Sequence, residues 1–309
     1  MAHSFLRGVK RLVRRLFCIS FLNLIIRGCL KVCLAVGIMP GRLARRIPVV
    51  GSFHIALPSG NKLSLSSDGK DLIATRLYWG GWQGYEGETL QLFLKLVPAA
   101  GTVLDIGAHT GIYSLMAAIE DPTRRVYAFE PVPMISQYLH RAIELNGLTN
   151  IHVDSSAVTN FDGKVELFIP PPQTTLPTDA STRPDWRQTG ATIVAPATTL
   201  DSFVKRHGIP RVDFLKIDTE ATEHLVLAGA SQTLSRDLPV MICEVLKGET
   251  ESELHNLLDP LAYRYFWISG TGLVEKPTIE GDPTYSFMNY LMITGRRMQE
   301  LEDLGIVLK

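Results

Sequence analysis

The sequence predicts an α/β fold built on a mostly parallel sheet with helices on both faces. Three observations carry that prediction. From Pro98 onward, short apolar runs alternate with amphipathic runs, as they do where crossover helices join parallel strands. The first of these runs ends in a turn with glycines at 107 and 111 that opens a helix. The chain is 309 residues long with 46% hydrophobic and 20% charged residues, enough to bury one large core or two small ones and too apolar for disorder.

The first element is a basic arm, residues 1–48. Residues 1–67 hold eleven Lys or Arg and no acid, whereas twenty basic residues face thirty-one acidic ones from Asp68 onward. A net-zero chain is therefore a basic arm on an acidic body. That body lacks the clustered cations that phosphate neutralisation needs, so nucleic acid is not an expected partner. Leu6, Val9, Val13, Leu16 and Phe17 recur at helical spacing, predicting a basic amphipathic helix. The longest uncharged stretch in the arm, Leu16 to Ile26, is eleven residues, short of the roughly 20 that cross a bilayer. The expectation is a helix lying on a membrane surface through residues 5–47, cations toward anionic head groups. A signal peptide, a transit peptide and a helix packed on the body are the alternatives. Cys18, Cys29, Cys33 and Cys243 form no paired framework, which predicts a reduced, cytoplasmic protein.

A lead-in region, residues 49–98, follows. Phe53, Ile55, Leu57, Leu63 and Leu65 alternate around Pro58-Ser59-Gly60-Asn61, a hairpin pattern. Asp71 to Tyr78 and Gly87 to Leu96 read as helices. The main domain, residues 99–295, is expected to run Thr102 to Ile106 (strand), Gly111 to Ile119 (helix), Arg125 to Phe129 (strand), Pro133 to Asn146 (helix) and Ile151 to Val153 (strand). A hairpin at Asn160 to Ile169 is predicted to turn on Asp162-Gly163. Pro170 to Gly190 is rich in Pro, Thr and Ser without periodicity, and a loop that long in a compact domain is a candidate lid. Leu200 to Arg206 (helix), Val212 to Ile217 (strand), Glu220 to Ala230 (helix), Val240 to Val245 (strand) and Glu251 to Leu258 (helix) continue the alternation. Tyr263 to Ile268 and Phe287 to Thr294 close it as an antiparallel pair, and residues 296–309 form a tail.

The chemistry concentrates at the strand ends. Val103-Leu104-Asp105-Ile106-Gly107-Ala108-His109-Thr110-Gly111 is a buried strand, a glycine turn and a helix start, where backbone can approach a ligand and N–H groups are free. The dinucleotide fingerprint needs a glycine where His109 stands, so a diphosphate cofactor is disfavoured. Asp105 before the glycines suits an ammonium or holds the turn. Glu130, ending the next strand in Phe129-Glu130-Pro131, is placed to accept both hydroxyls of a ribose. Two such acids around a glycine turn point to a nucleoside cofactor bearing an amino acid, S-adenosylmethionine.

With Tyr85-Glu86, Asp105 to Gly111, Phe129-Glu130-Pro131, Thr199-Leu200-Asp201 and Leu215-Lys216-Ile217-Asp218-Thr219-Glu220 running on to Glu223 and Gly229-Ala230, the chain resembles the FkbM-like family of S-adenosylmethionine-dependent methyltransferases. The resemblance covers about Tyr85 to Ile293. It implies a seven-stranded Rossmann-like class I methyltransferase sheet and methyl transfer to a hydroxyl of a sugar, lipid, glycolipid or secondary metabolite. The family commonly has glycine after the Asp-x-Glu step, where this chain has Ala221, a change expected to narrow the pocket.

Methyl transfer from a sulfonium needs alignment of donor and acceptor and removal of a hydroxyl proton. Asp218 and Glu220 follow one strand and Glu244 ends the next, so all three are candidate catalytic residues, Asp218 as base or substrate-orienting acceptor. The cofactor set is Glu86, Asp105, Gly107, Ala108, His109, Gly111, Glu130, Asp154 and Ser156, the last two as adenine contacts. A divalent metal on the three acids is the less favoured alternative. Glu223 reads as a helix cap. Trp79 reads as packing, with Tyr85 at the site. A catalytically inactive methyltransferase-like binding module and, behind it, a nicotinamide oxidoreductase are the competing functions.

Overall fold

The computed structural model describes residues 20–37, 44, 47–171, 175–185 and 190–306. An eight-stranded sheet forms its centre: β3 (Thr102–Ile106), β4 (Arg125–Phe129), β5 (Ile151–Asp154), β9 (Phe214–Ile217), β10 (Val240–Glu244), β11 (Tyr263–Ser269), β12 (Gly272–Lys276) and β13 (Asn289–Thr294). The order is β12-β11-β13-β10-β9-β3-β4-β5. Strands β10, β9, β3, β4 and β5 are mutually parallel, and β13 enters antiparallel between β10 and β11. The seven predicted strands are all present, and β12 adds an eighth at the edge. The chain leaves β3 toward β4 and β5, then returns to β9 and β10 on the other side. The strand order thus reverses beside β3, where open α/β sheets bind ligands beyond their carboxyl ends.

One face of the sheet carries the lead-in region. β1 (Val50–Ala56) and β2 (Lys62–Asp68) pair as the predicted hairpin. α2 (Leu72–Gly80) starts where the Asp71 side chain accepts the Ala74 N–H at 2.9 Å, satisfying an orphan donor of the first turn. α3 (Gly87–Leu96) follows, and Phe53, Leu63, Leu77, Leu90 and Phe93 join Val103, Leu115 and Phe266 in one apolar cluster. The opposite face buries Leu104, Phe129, Phe203, Leu215 and Met241 in a second cluster. α1 (Ser20–Ala35) docks on β1, while the helix expected over residues 6–17 lies outside the described residues.

Two expectations need correction. The strand Gly163–Ile169 does not hairpin back on Asn160. It is β7, and it pairs antiparallel with β8 (Ala191–Thr198), which also pairs with β6 (Ala157–Val158). The turn signal at Asp162 has another use, since its carboxylate accepts from Thr198 Oγ1, Thr199 N and Ser202 Oγ. With Pro133–Asn146 as α5 and Leu200–Arg206 as α6, the helix expected over Glu220 to Ala230 is α7, Glu223–Ala228, followed by a separate α8, Ser231–Asp237. Asp201 sets that second start by accepting from Gln232 N and from Thr233 N and Oγ1.

Candidate active site

A cavity of about 620 Å³ opens at the carboxyl ends of the parallel strands, within the size range of small-molecule sites. Its wall draws on two groups of side chains, one following β4 and β3, the other following β9 and β10 on the far side of β3 in the sheet order.

The turn after β3 is fixed by steric necessity. Gly107 has φ +80°, and a Cβ there would stand 1.7 Å from Asp218 O. Its N–H and that of Ala108 both donate to Phe129 O, at 3.1 and 2.9 Å. Those two donors are spent on the neighbouring strand and are not free for a ligand. His109, at φ +51°, donates its N–H to Glu130 Oε2 at 2.9 Å, and Val132 N–H donates to Oε1 at 2.8 Å. These two bonds hold the Glu130 carboxylate on the cavity wall with lone pairs left over for a ribose diol. Burial, only partly offset by these bonds, pushes Glu130 up to about 7.

Asp105 is positioned differently from the expectation. It is 1% exposed, off the cavity wall, and its Oδ2 accepts both Ser114 N and Ser114 Oγ, at 3.0 and 2.6 Å. It secures α4 (Ile112–Glu120) against β3, and burial raises it to about 6. Ala108 and Gly111 also lie off the wall, and Gly111 is glycine because a Cβ there would meet Leu139 Cδ1 at 2.2 Å. Ser156 lines the cavity and Asp154 does not. Asp154 accepts the Ser156 N–H at 2.8 Å and sits with His152 and His207, their ligand atoms within 4.8 Å of one another.

Across the cavity, Asp218, Glu220 and Glu244 converge as expected, with carboxylate oxygens within 4.8 Å of one another. Lys216, 1% exposed, is embedded beneath them. Its Nζ lies 3.0 Å from Asp218 Oδ2, 3.3 Å from Asn289 Oδ1 and 5.1 Å from the centre of the Tyr113 ring. Burial alone would lower this ammonium, but Asp218, Glu86 and Glu244 outweigh it and hold Lys216 charged. Glu244 is the odd carboxylate. Its Oε2 has no hydrogen-bond partner among the described residues, and burial, then Asp218, Glu220 and Glu223, push it well above the ordinary range. Tyr85 and Glu86 complete this side. Glu86 Oε2 accepts from Tyr113 Oη at 2.6 Å, and burial raises its pKa.

The other expectations divide cleanly. Glu223 is fully buried and accepts Thr219 N and Oγ1, so it braces the loop after β9. Trp79 donates its indole N–H to Ile47 O at 3.0 Å and is off the cavity. Ala221 is buried off the wall at φ +68°, so its methyl strains the backbone and leaves the cavity width unchanged. Part of the candidate lid reaches the cavity: Thr178 to Thr182 line it, Ser181 Oγ donates to Glu220 O at 2.7 Å, and His109 Nε2 lies 3.1 Å from Pro177 O. Sequence reasoning undervalued Lys216. Its signal was a lone lysine inside an otherwise apolar strand, Phe214–Ile217, a placement that demands partners.

The family described as Methyltransferase FkbM domain matches residues 105–265. The chain is similar to 31-O-demethyl-FK506 methyltransferase FkbM of Streptomyces tacrolimicus, 29% identical over 152 residues that cover 41% of this chain and 58% of that protein. It is also similar to methyltransferase sdnD of Sordaria araneosa, 25% identical over 162 residues, 44% of this chain and 62% of that one. The chain thus spans about three-fifths of the length of these curated relatives. Among solved structures, methyltransferase FkbM from Methylobacillus flagellatus KT aligns at TM-score 0.42 and 15% identity, covering 63% of this chain and 43% of that one. Aeropyrum pernix fibrillarin aligns at TM-score 0.41 and 16% identity, covering 79% and 94%.

Proposed function

The chain belongs to the FkbM methyltransferase domain family, and from that premise we propose that it is an S-adenosylmethionine-dependent O-methyltransferase acting on a hydroxyl of a sugar, glycolipid or secondary metabolite. The carrying observation is one cavity lined both by the Glu130 carboxylate and by Asp218, Glu220 and Glu244, with Lys216 buried against Asp218. The relative named for FK506 demethyl-product methylation supports an oxygen acceptor.

The residues present fit the cofactor. Glu130 and Ser156 lie together on the wall where ribose and adenine would rest, and Gly107, His109 and Glu86 line the stretch leading to the acids. S-adenosylmethionine, when bound, supplies a methyl group on a sulfonium, a leaving group that needs no acid assistance. The protein's tasks are to align an acceptor oxygen and to hold its proton. Asp218, locked by Lys216, orients the hydroxyl. Glu244 Oε2, unpartnered and raised in pKa, takes the proton, because a weaker acid is the stronger base. Glu220 borders the same space and its backbone carbonyl is tied to the loop at Ser181.

Among the described residues no helix is long and apolar enough to cross a membrane, and peripheral contact through residues 5–47 belongs to the same reading. Calorimetry with S-adenosylhomocysteine, then transfer of labelled methyl to hydroxylated glycans and lipids, tests the proposal. Binding without turnover on any acceptor would favour the inactive binding module. No binding at all would sink the enzyme reading.

A further inference from the structure

α1 is amphipathic, but the structure turns it the unexpected way. Asn23, Ile26, Arg27, Leu30, Cys33 and Leu34 face the body, at the i, i+3, i+4 spacing of one helix face. Asn23 Nδ2 donates to Pro48 O at 2.8 Å and Asn23 Oδ1 accepts the Val50 N–H at 3.0 Å. The Arg27 guanidinium and the Lys31 ammonium lie 4.9 and 4.5 Å from the centre of the Tyr78 ring. These two cations are engaged with the protein. The outward stripe is Phe21, Ile25, Cys29, Val32 and Val36, flanked by Leu24, with Phe21 71% and Val32 63% exposed.

We infer that this outward apolar stripe of α1 inserts shallowly into an anionic membrane surface and holds the cavity against it. The inference deepens the peripheral contact of the proposed function and does not depend on methyl transfer. Charge complementarity selects the occupant. The sequence brackets the helix with Arg7, Lys10, Arg11, Arg14 and Arg15 before it and Arg42, Arg45 and Arg46 after it, and no acid precedes Asp68. An exposed apolar face in a segment that is cationic and acid-free on both sides in sequence suits insertion among acyl chains beneath anionic head groups. A soluble partner would have no need of that layering. The acidic body is repelled by the same surface, so only the arm makes contact. At sixteen residues the helix is about 24 Å long, suited to lying in the interface. The anchor is one helix from the cavity, since α2 offers Tyr78 to α1 and Leu72, Ile73 and Arg76 to the cavity wall. An acceptor carried in or on the bilayer would reach the site without leaving it.

The test is co-flotation of the full chain with phosphatidylcholine vesicles and with vesicles containing about a third phosphatidylserine. Expected is binding to the anionic vesicles that weakens with salt. Phe21→Glu with Ile25→Glu should lower partitioning by about two orders of magnitude, while Val194→Glu, at an exposed apolar site on β8, leaves it intact. Each variant is also titrated with S-adenosylhomocysteine. Retained cofactor binding with lost flotation supports the inference independently of the enzyme reading. Flotation unaffected by the double substitution overturns it. So does a dimer in light scattering that the double substitution dissociates, or amide exchange in α1 unchanged by vesicles, the result expected if residues 1–19 cover the stripe.

Discussion

Lys216 Nζ lies 3.0 Å from Asp218 Oδ2 beneath the acid cluster, with the lysine side chain 1% exposed and the aspartate 23%. A cation buried among Glu86, Asp218 and Glu244 makes it possible to gather three carboxylates in one cavity. Removing one partner of a buried pair leaves the other uncompensated and costs roughly 3–5 kcal/mol. Lys216→Met should therefore lower unfolding stability by about 3 kcal/mol in a urea titration. Asp218→Asn keeps a hydrogen-bond acceptor but removes the charge opposite Lys216, so it should also lower stability, by less than Lys216→Met because Glu86 and Glu244 remain, while lowering kcat by about a hundredfold. Unchanged kcat in Asp218→Asn would remove it from the reaction.

The same cluster sets a pH dependence. Glu244 is pushed above the ordinary carboxylate range by burial and then by its acidic neighbours, so it holds a proton where a free glutamate would have lost it. A base must be deprotonated, so kcat should rise with pH on a limb displaced to the alkaline side of ordinary carboxylates. Glu244→Gln should abolish both the limb and most of the activity. A limb that persists in Glu244→Gln assigns the base elsewhere.

Stability should move the other way with pH. Asp105 is raised from 3.8 to about 6 and Glu130 from 4.5 to about 7, burial being the leading cause in both. Between the unfolded and folded values the native state holds protons that the unfolded chain releases. The stabilisation is complete below the unfolded values and is lost as pH rises through the folded ones, about 3 kcal/mol for each group. Urea midpoints should fall from about pH 4 to about pH 7. Asp105→Asn retains an oxygen for Ser114 and should flatten the lower half of that slope. Because Asp105 is off the cavity wall, S-adenosylhomocysteine affinity should change little, whereas Glu130→Gln should weaken it about tenfold or more.

The parallel strands and most helices were legible because each is a short, mainly apolar run or an amphipathic period bounded by polar and turn residues. Gly87–Leu96, Pro133–Asn146, Leu200–Arg206 and Glu251–Leu258 fall where the pattern puts them. What escaped was long-range pairing. β7 finds its partner β8 only after the intervening loop, and a local Asp162-Gly163 turn signal cannot report a strand lying beyond residue 190. Edge strand β12 is five residues with one of them buried, too little apolar content to announce itself. At the site, spacing located the acids, but not that Asp105 faces Ser114 or that Asp154 faces His152 and His207. Side-chain direction at a strand end depends on twist and neighbours, which period-two counting does not contain. The amphipathic period read over residues 6–17 lies outside the described residues, and which stripe of α1 faces the body is set by contacts of Asn23, Arg27 and Lys31 that no periodicity contains.

Backbone strain after β9 gives a further prediction. Glu220 and Ala221 both have positive φ, +56° and +68°, where a Cβ costs about 1–2 kcal/mol. Glycine removes that cost and returns part of it as unfolded-state entropy, about 0.5–1 kcal/mol. Ala221→Gly should accordingly stabilise the protein by about 0.5–1 kcal/mol, with S-adenosylhomocysteine affinity unchanged because Ala221 is off the cavity. Destabilisation in a urea titration would mean that the methyl's packing outweighs the strain.

The acid cluster also carries a prediction about metal dependence. Three carboxylates with oxygens within 4.8 Å of one another could hold a hard divalent cation. Yet the charge such an ion would neutralise already faces Lys216, whose ammonium is held protonated against Asp218. A second cation there would meet that ammonium at short range in a poorly screened site, where like charges repel by several kcal/mol. EDTA should therefore leave methyl transfer within about twofold, and added Mg²⁺ should not raise it. The informative comparison is Lys216→Met, which removes the competing charge. If the variant folds and gains Mg²⁺ binding by calorimetry, the lysine occupies the electrostatic place of a metal. If the native enzyme loses activity in EDTA and recovers it with Mg²⁺, Lys216 and the ion share the cluster and the metal-free assignment of Glu244 as base fails.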